Sequence, residues 1–366
     1  MDPKIQFLTE DDDILKFRIS GINVSLANAI RRIVLSDIPN FVFRTSPYAE
    51  NKATIHINTS RLNNEIIKQR LSCIPINIKD MDFNYNDYKM EVDVKNDTDT
   101  IVIITTEDFK IKNISTDKYL SKESTRKIFP ADPITGEYID FVRLRPKISD
   151  DIEGEHLKME CLFDIGKSKE DGSFNVVSCC AYKNTHDPIA QNKAWTVVEQ
   201  QLRSQEEKTD EIEFAKKDWM ALEANRYYLP DSFDFVIETI GVFENREIIK
   251  TACQIMIDKL DKFSKNLEQE HELIVDIDNT IQNCYEVVLK EDDYTVGKAL
   301  EFVLHEKYYK TKEITFCGFR KPHPHISASI IRIGFTKKTE KQEVANLMYS
   351  IVEDLTLIFR SIETSF

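Results

Sequence analysis

The chain has 366 residues, which at roughly 150 residues per domain predicts two or three domains. Hydrophobic residues at 41% and charged residues at 31% exclude a collagen-like chain, a simple coiled coil and wholesale disorder. Lys+Arg 49 against Asp+Glu 63 leaves a net charge of -14, whose field repels phosphate polyanions and excludes a general duplex-DNA binder.

In chain order, residues 14–19 read as a strand, and Gly21, Ile22 and Asn23 turn into a helix. Leu26, Ala29, Ile30, Ile33 and Val34 recur at helical spacing on one face, with Asn23 as N-cap and Pro39 beyond the end. Short alternating runs at 53–57 and 100–104, separated by charged turns such as 93–99, predict small strands. Gly166-Lys167-Ser168 imitates the end of a phosphate loop, but Cys161 stands where the earlier Gly is required, so a turn is expected. The stretch 187–229, rich in Gln, Glu and Lys, reads as an exposed helix or connection anchored by Trp219, Tyr227 and Tyr228. A strand at 233–241 precedes a long helix with a stripe of Ile249, Ala252, Met256, Leu260, Phe263 and Leu267. A strand at 284–290 turns through 291–294 into a helix over 295–304. A last strand at 329–336 precedes a helix striped by Val344, Leu347, Met348, Ile351, Val352, Leu355, Phe359 and Ile362.

These elements form a repeat of strand, short helix, strands and long helix, with Ser25 to Ile30 matched by Thr295 to Leu300. The first copy spreads over a far longer stretch than the second, so a separate, mostly β module is inserted into it. The expected division is 1–45 with 176–275 for the first unit, 46–175 for the insert and 276–366 for the second unit. The two long helices can bury their stripes against one another as a pseudo-dimer within one chain, or each can pack only on its own sheet. The first arrangement places Ile249, Ala252, Met256 and Leu260 against Leu347, Ile351, Leu355 and Phe359.

The run Asn28-Ala29-Ile30-Arg31-Arg32-Ile33-Val34-Leu35-Ser36-Asp37-Ile38-Pro39 resembles the first-helix signature of the alpha-type assembly subunits of cellular RNA polymerases. Residues 58–76 are similar to the family's second signature, and 233–241 with Glu247, Ile248 and Ile249 fit the third. Together they resemble the third subunit of eukaryotic RNA polymerase II. The C-terminal copy resembles its smaller partner, the eleventh, through residues 291–297, 316–319, 322–324 and 331–333. A fusion of the two resembles the arrangement in large nucleocytoplasmic DNA viruses. Asn64 and Gln69 depart from the second signature, and Tyr294 and Lys298 from the partner's usual residues.

The resemblance implies an α+β fold of two tandem alpha-type dimerisation units. It also implies a non-catalytic platform that nucleates assembly of the two largest polymerase subunits, with smaller subunits as further partners and DNA contacted only through the complex. Asn28, Arg31, Arg32, Asn58, Thr59, Glu65 and Arg70 are its implied large-subunit interface; the forked guanidinium of arginine suits such contacts. No homo-oligomer is expected. The implied setting is a host cytoplasm or virion, with the nucleus as an alternative.

No catalytic, cofactor or metal residue is assigned. Seven cysteines include no Cys-x-x-Cys pair, and none lies between Cys73 and Cys161, where many eukaryotic relatives carry a zinc loop. Cys317, His323 and His325 lack a fourth ligand. Acidic runs at 10–13 and 291–293 read as solvated loops. No apolar run reaches the roughly 20 residues of a bilayer span, and Met1-Asp2-Pro3-Lys4 lacks a secretory pattern, so an intracellular protein without a membrane partner is expected. A stand-alone enzyme and a repeat-built protein-binding module are the competing readings.

Overall fold

The computed structural model describes residues 1–11, 13–147, 149, 153–205, 208–277 and 282–366. The chain forms two compact units, one of Met1–Ile33, Cys179–Glu238 and Asn245–Phe366, the other of Val34–Ser178 and Thr239–Glu244.

The first unit opens with β1 (Lys4–Asp11) and β2 (Ile14–Ser20), an antiparallel pair that leads into α1 (Val24–Ser36). Alternation in β2 sends Leu15, Phe17 and Ile19 inward, where all three are fully buried. The turn between β2 and α1 needs Gly21, whose φ is +79° and whose missing Cβ would stand 2.3 Å from the Asp2 carbonyl oxygen. The strand over 4–11 has no counterpart in the sequence reading, because seven of its eight residues are exposed and show no apolar alternation.

The second unit contains β3 (Pro39–Val42), β4 (Ala53–Asn58), α2 (Asn64–Ser72), β5 (Tyr88–Lys95), β6 (Val102–Thr105), β7 (Lys110–Asn113), β8 (Lys118–Tyr119), α3 (Lys122–Ile128), β9 (Asp140–Leu144), β10 (His156–Leu162) and β11 (Asp164–Lys167). Its main sheet has the order β4-β10-β5-β7-β8, with smaller pairs β3 with β11 and β6 with β9. Phe41 and Phe43 belong to its core, with Met90, Phe109, Phe141 and Met159. The compact unit is therefore wider than the expected insert of 46–175. Gly166 and Lys167 lie in strand β11 rather than in a turn, opposite Asn40 and Pro39. The turn expected at 93–99 starts only after Lys95, where buried Asn96 donates to the carbonyls of Thr100 and Leu144.

Back in the first unit, β12 (Val177–His186) leads to an αα-hairpin of α4 (Pro188–Ser204) and α5 (Thr209–Ala221). The rings of Trp195, Trp219 and Tyr227 pack in sequence at tilted angles, with centroids at 5.7 and 5.9 Å, and anchor the hairpin. Then β13 (Tyr228–Thr239) completes a sheet of order β1-β2-β13-β12, and α6 (Asn245–Gln269) follows. Arg18 and Asp234 stand opposite each other across β2 and β13 and form an ion pair at 2.6 Å. Burial pushes the Asp234 carboxyl up, but hydrogen bonds from Arg18 and Thr185 outweigh it and hold the group below its ordinary value.

The chain ends with β14 (Ile274–Ile277), β15 (Cys284–Leu289), α7 (Tyr294–Leu304), β16 (Ile314–Arg320), β17 (Ser329–Phe335) and α8 (Lys341–Thr364). Its sheet has the order β14-β15-β17-β16. Position by position this is the order of the earlier sheet: an N-terminal edge strand, the strand before the short helix, the strand before the long helix, and one more strand. The second sheet begins at Ile274, ahead of the boundary expected at 276, because β14 pairs with β15 from Ile274 onward.

The Gly21→Ala variant should lose about 1–2 kcal/mol through its left-handed backbone alone, read as a lower urea midpoint at an unchanged slope. The depressed Asp234 carboxyl contributes stability above its unfolded pKa and loses it as pH falls through the folded one. Asp234→Asn should therefore be less stable than the parent at neutral pH in paired urea titrations, with the gap narrowing as pH falls below the ordinary aspartate range and through the depressed folded-state pKa.

Candidate assembly interface

Helix α1 starts with Asn23, whose side-chain oxygen accepts from the Ser25 amide at 2.9 Å. Its inner face buries Leu26, Ala29, Ile30 and Ile33, leaving Asn28, Arg31 and Arg32 half-buried around the other side. Arg31 Nε and Nη2 both donate to Asn28 Oδ1, at 3.0 and 2.9 Å. A neutral acceptor fixes the guanidinium without cancelling its charge. The cation lies close to β12: burial pushes the Cys180 thiol up to about 12, and Arg31 opposes that rise.

Arg32 was expected to face the same external partner, but its side chain is engaged within the unit. Its Nε donates to Thr295 Oγ1 at 2.8 Å and its Nη2 to Asp293 Oδ2 at 2.6 Å. Asp293 also caps α7, accepting from the Thr295 amide at 2.9 Å, the distance found at Asn23. The first turn of the second short helix is thus tied to the first short helix by a charge-assisted bond.

The two long helices pack on one another. Packing of α6 on α8 is the most extensive helix-to-helix contact among the described residues, and both helices also touch α7. Ile249, Ala252, Met256 and Leu260 of α6 are buried, as are Ile351, Leu355 and Phe359 of α8, while Leu347 is half-buried. One contact had no signal in the sequence. The ring of Phe366, beyond α8, sits edge-on against Phe17 and Phe7 of the first sheet, with centroids at 4.9 and 5.4 Å.

The model of the RNA polymerase Rpb3/Rpb11 dimerisation domain family matches residues 16–260. The chain belongs to this family. It is similar to DNA-directed RNA polymerase subunit Rpo3 of Pyrococcus horikoshii, 26% identical over 276 residues that cover 73% of this chain and 98% of that protein. Part of this chain therefore has no counterpart in that nearly fully covered relative. It is also similar to DNA-directed RNA polymerases I and III subunit rpac1 of Dictyostelium discoideum, 25% identical over 301 residues, 73% of this chain and 82% of the relative. A stretch of 74 residues, 20% of this chain and 21% of the relative, is 38% identical to DNA-directed RNA polymerases IV and V subunit 3B of Arabidopsis thaliana. These homologues are subunits of DNA-directed RNA polymerases.

The other four residues singled out for this family's interface lie in the second compact unit. Asn58 is spent on its own loop, donating to Leu62 O and Asn64 Oδ1 and accepting from Ser60. Thr59 Oγ1 accepts from the His156 amide at 2.7 Å. Arg70 donates to the carbonyls of Phe141 and Asp140, at 2.7 and 2.8 Å, fastening α2 to β9. Glu65 alone of the four makes no bond or ion pair among the described residues. It lines a cleft of about 780 Å³ with Lys68, Gln69, Tyr48 and Ser173, and buried Ile67 and Leu71 anchor its helix beneath.

Among the described residues no three His, Cys, Asp or Glu side chains converge to hold a metal. His323 and His325 meet ring to ring at 4.8 Å, and burial pushes the Cys317 thiol up to about 11. Of the N-terminal acidic run, Glu10 lies in β1 rather than a loop and pairs with Arg246 at 2.6 Å, while Asp12 falls outside the described residues. No helix among the described residues is long and apolar enough to cross a membrane.

With both side chains about a third exposed, the Arg32 and Asp293 pair should show a coupling of up to about 1 kcal/mol. A double-mutant cycle of Arg32→Ala and Asp293→Ala in urea unfolding measures it; zero coupling would leave the pair without a stabilising role.

Proposed function

We propose that this chain is the non-catalytic assembly platform of a DNA-dependent RNA polymerase, a fused alpha-like heterodimer that brings the two large catalytic subunits together. The observation that carries the reading is the packing of α6 on α8, flanked by two sheets of identical strand order, in a chain of the Rpb3/Rpb11 dimerisation family. In this reading the first repeat comprises β1, β2, α1, β12, β13 and α6, and the second runs from Ile274 to Phe366. The second compact unit is the module inserted into the first repeat. Joining the repeats makes their association intramolecular, which raises their effective concentration and fixes a one-to-one ratio.

Asn28 and Arg31 are the preferred contact for a large subunit, since the Arg31 donors not used on Asn28 make no bond among the described residues. Glu65, at the cleft beside α2, is a second contact. Smaller subunits complete the complex, and DNA is reached only through it, in keeping with the net charge of -14. The fused layout supports the viral arrangement that the sequence resembles, and with it transcription in a host cytoplasm or virion, with the nucleus as the alternative.

Native purification of the intact chain from its source, followed by intact-complex mass spectrometry, tests the proposal. The expected result is the two largest polymerase subunits at one-to-one-to-one stoichiometry with this chain. A free monomer, or a complex without polymerase subunits, would overturn it.

A further inference from the structure

The first sheet has a second face, away from Leu15, Phe17 and Ile19. Strand alternation places Lys16 on it, directly opposite Val236 of β13. On the other flank β1 is irregular: Phe7 pairs with Phe17 and Thr9 with Lys16, so Leu8 and Thr9 together oppose one residue. A bulge of this kind re-aims side chains, and Leu8 is left 42% exposed. Leu8, Lys16 and Val236, with Ala181, Tyr182 and Lys183 of β12 and the Asp234 carboxylate of β13, line a cleft of about 430 Å³.

The cleft has an apolar floor of Leu8, Val236 and Ala181 between two cations. Lys16 is exposed and makes no ion pair among the described residues. Lys183 is likewise exposed and makes no salt bridge among the described residues. Its charge helps to depress the Asp234 carboxyl, yet Asp234 is bonded to Arg18 and Thr185 and leaves the lysine ammonium open to solvent. Two exposed ammonium groups outnumber the single lining carboxylate, which is already bonded to Arg18 and Thr185, and beside exposed apolar surface they favour a ligand with the opposite charge and an apolar side chain.

Resting on the assembly reading above, we propose that this cleft seats an acidic, apolar-centred segment of another polymerase subunit, its carboxylates on Lys16 and Lys183 and its apolar side chain on Leu8, Val236 and Ala181. The surface lies on the sheet face opposite the one that buries Phe17 and Phe235, so it is separate from the packing that joins the two repeats. The occupant is recognised by charge sign and by the floor, and contributes no strand to the sheet.

The test uses the natively purified complex and a zero-length carbodiimide, which joins an amine only to a carboxylate in contact with it. Lys16 or Lys183 should couple to an Asp or Glu of another subunit, mapped by mass spectrometry. The double variant Lys16→Glu/Lys183→Glu should lower retention of that one subunit about tenfold while the rest of the complex stays together. Lys16→Arg/Lys183→Arg, which keeps the charge, should retain it. Because both lysines are exposed, a folded variant is confirmed by an unchanged urea midpoint. A complete complex in which neither lysine couples outside its own chain, or in which the glutamate variant keeps every subunit, would overturn the docking surface alone. An intact chain purified without polymerase subunits would overturn the assembly reading and this inference with it.

Discussion

The apolar faces of two long helices are the constraint on which the rest of the first compact unit depends. Helix α6 buries Ile249, Ala252, Met256 and Leu260, and α8 buries Ile351, Leu355 and Phe359. Each such aliphatic or aromatic side chain contributes roughly 1.5–3 kcal/mol on leaving water, so neither helix can stand alone with its face in solvent. Burial of this kind sets proximity but not register, because the hydrophobic effect has no direction. Directional contacts supply the register: Arg32 reaches the cap of α7, and the Phe366 ring closes edge-on against Phe17.

The two repeats share their strand order but not their surface chemistry. Both short helices begin with a capping oxygen, from Asn23 and from Asp293. One turn further on they diverge. In α1 the guanidinium of Arg31 rests on neutral Asn28, which leaves its charge uncancelled. At the matching place in α7, Lys298 pairs with Glu301, and Glu301 also accepts from the Phe319 amide. The Phe319 ring lies so close to Gly297 that a Cβ there would stand 1.9 Å from it. The first position presents an uncancelled cation, the second a neutralised pair beside an aromatic ring. Equivalent places on one scaffold can thereby address different partners.

Within the second compact unit several polar side chains are bonded to groups of the same unit. Buried Arg44 reaches Asp164 at 2.6 Å, Glu170 at 2.8 Å and the Ile165 carbonyl at 2.8 Å, which ties β11 to the chain leaving β3. An arginine removed from water without such partners would be costly, and its planar fork suits several acceptors at once. Asn58, Thr59 and Arg70 serve the same internal purpose, and Glu65 is the member of that group that makes no bond or ion pair among the described residues.

The three helices over 24–36, 245–269 and 341–364 and the strands preceding them were legible in the sequence, because amphipathic periodicity is a local consequence of which face leaves water. The duplication of strand, short helix and long helix was legible for the same reason. Other features were decided by tertiary structure. Strand β1 is exposed on nearly every residue and β14 is four residues long, so neither shows a buried face that local pattern could reveal. The pairing of Arg32 with Asp293 joins groups 261 positions apart, and a solvated arginine and an interface arginine look alike in sequence until the fold sets what stands opposite. Arg70 met the same fate: its residue type announced hydrogen bonding, but only packing of α2 on β9 decided that the acceptors were carbonyls of its own unit. The sequence by itself determined which surfaces must be buried. The tertiary structure decided which polar side chains were consumed in burying them, because directional bonds depend on distances that only the folded chain defines.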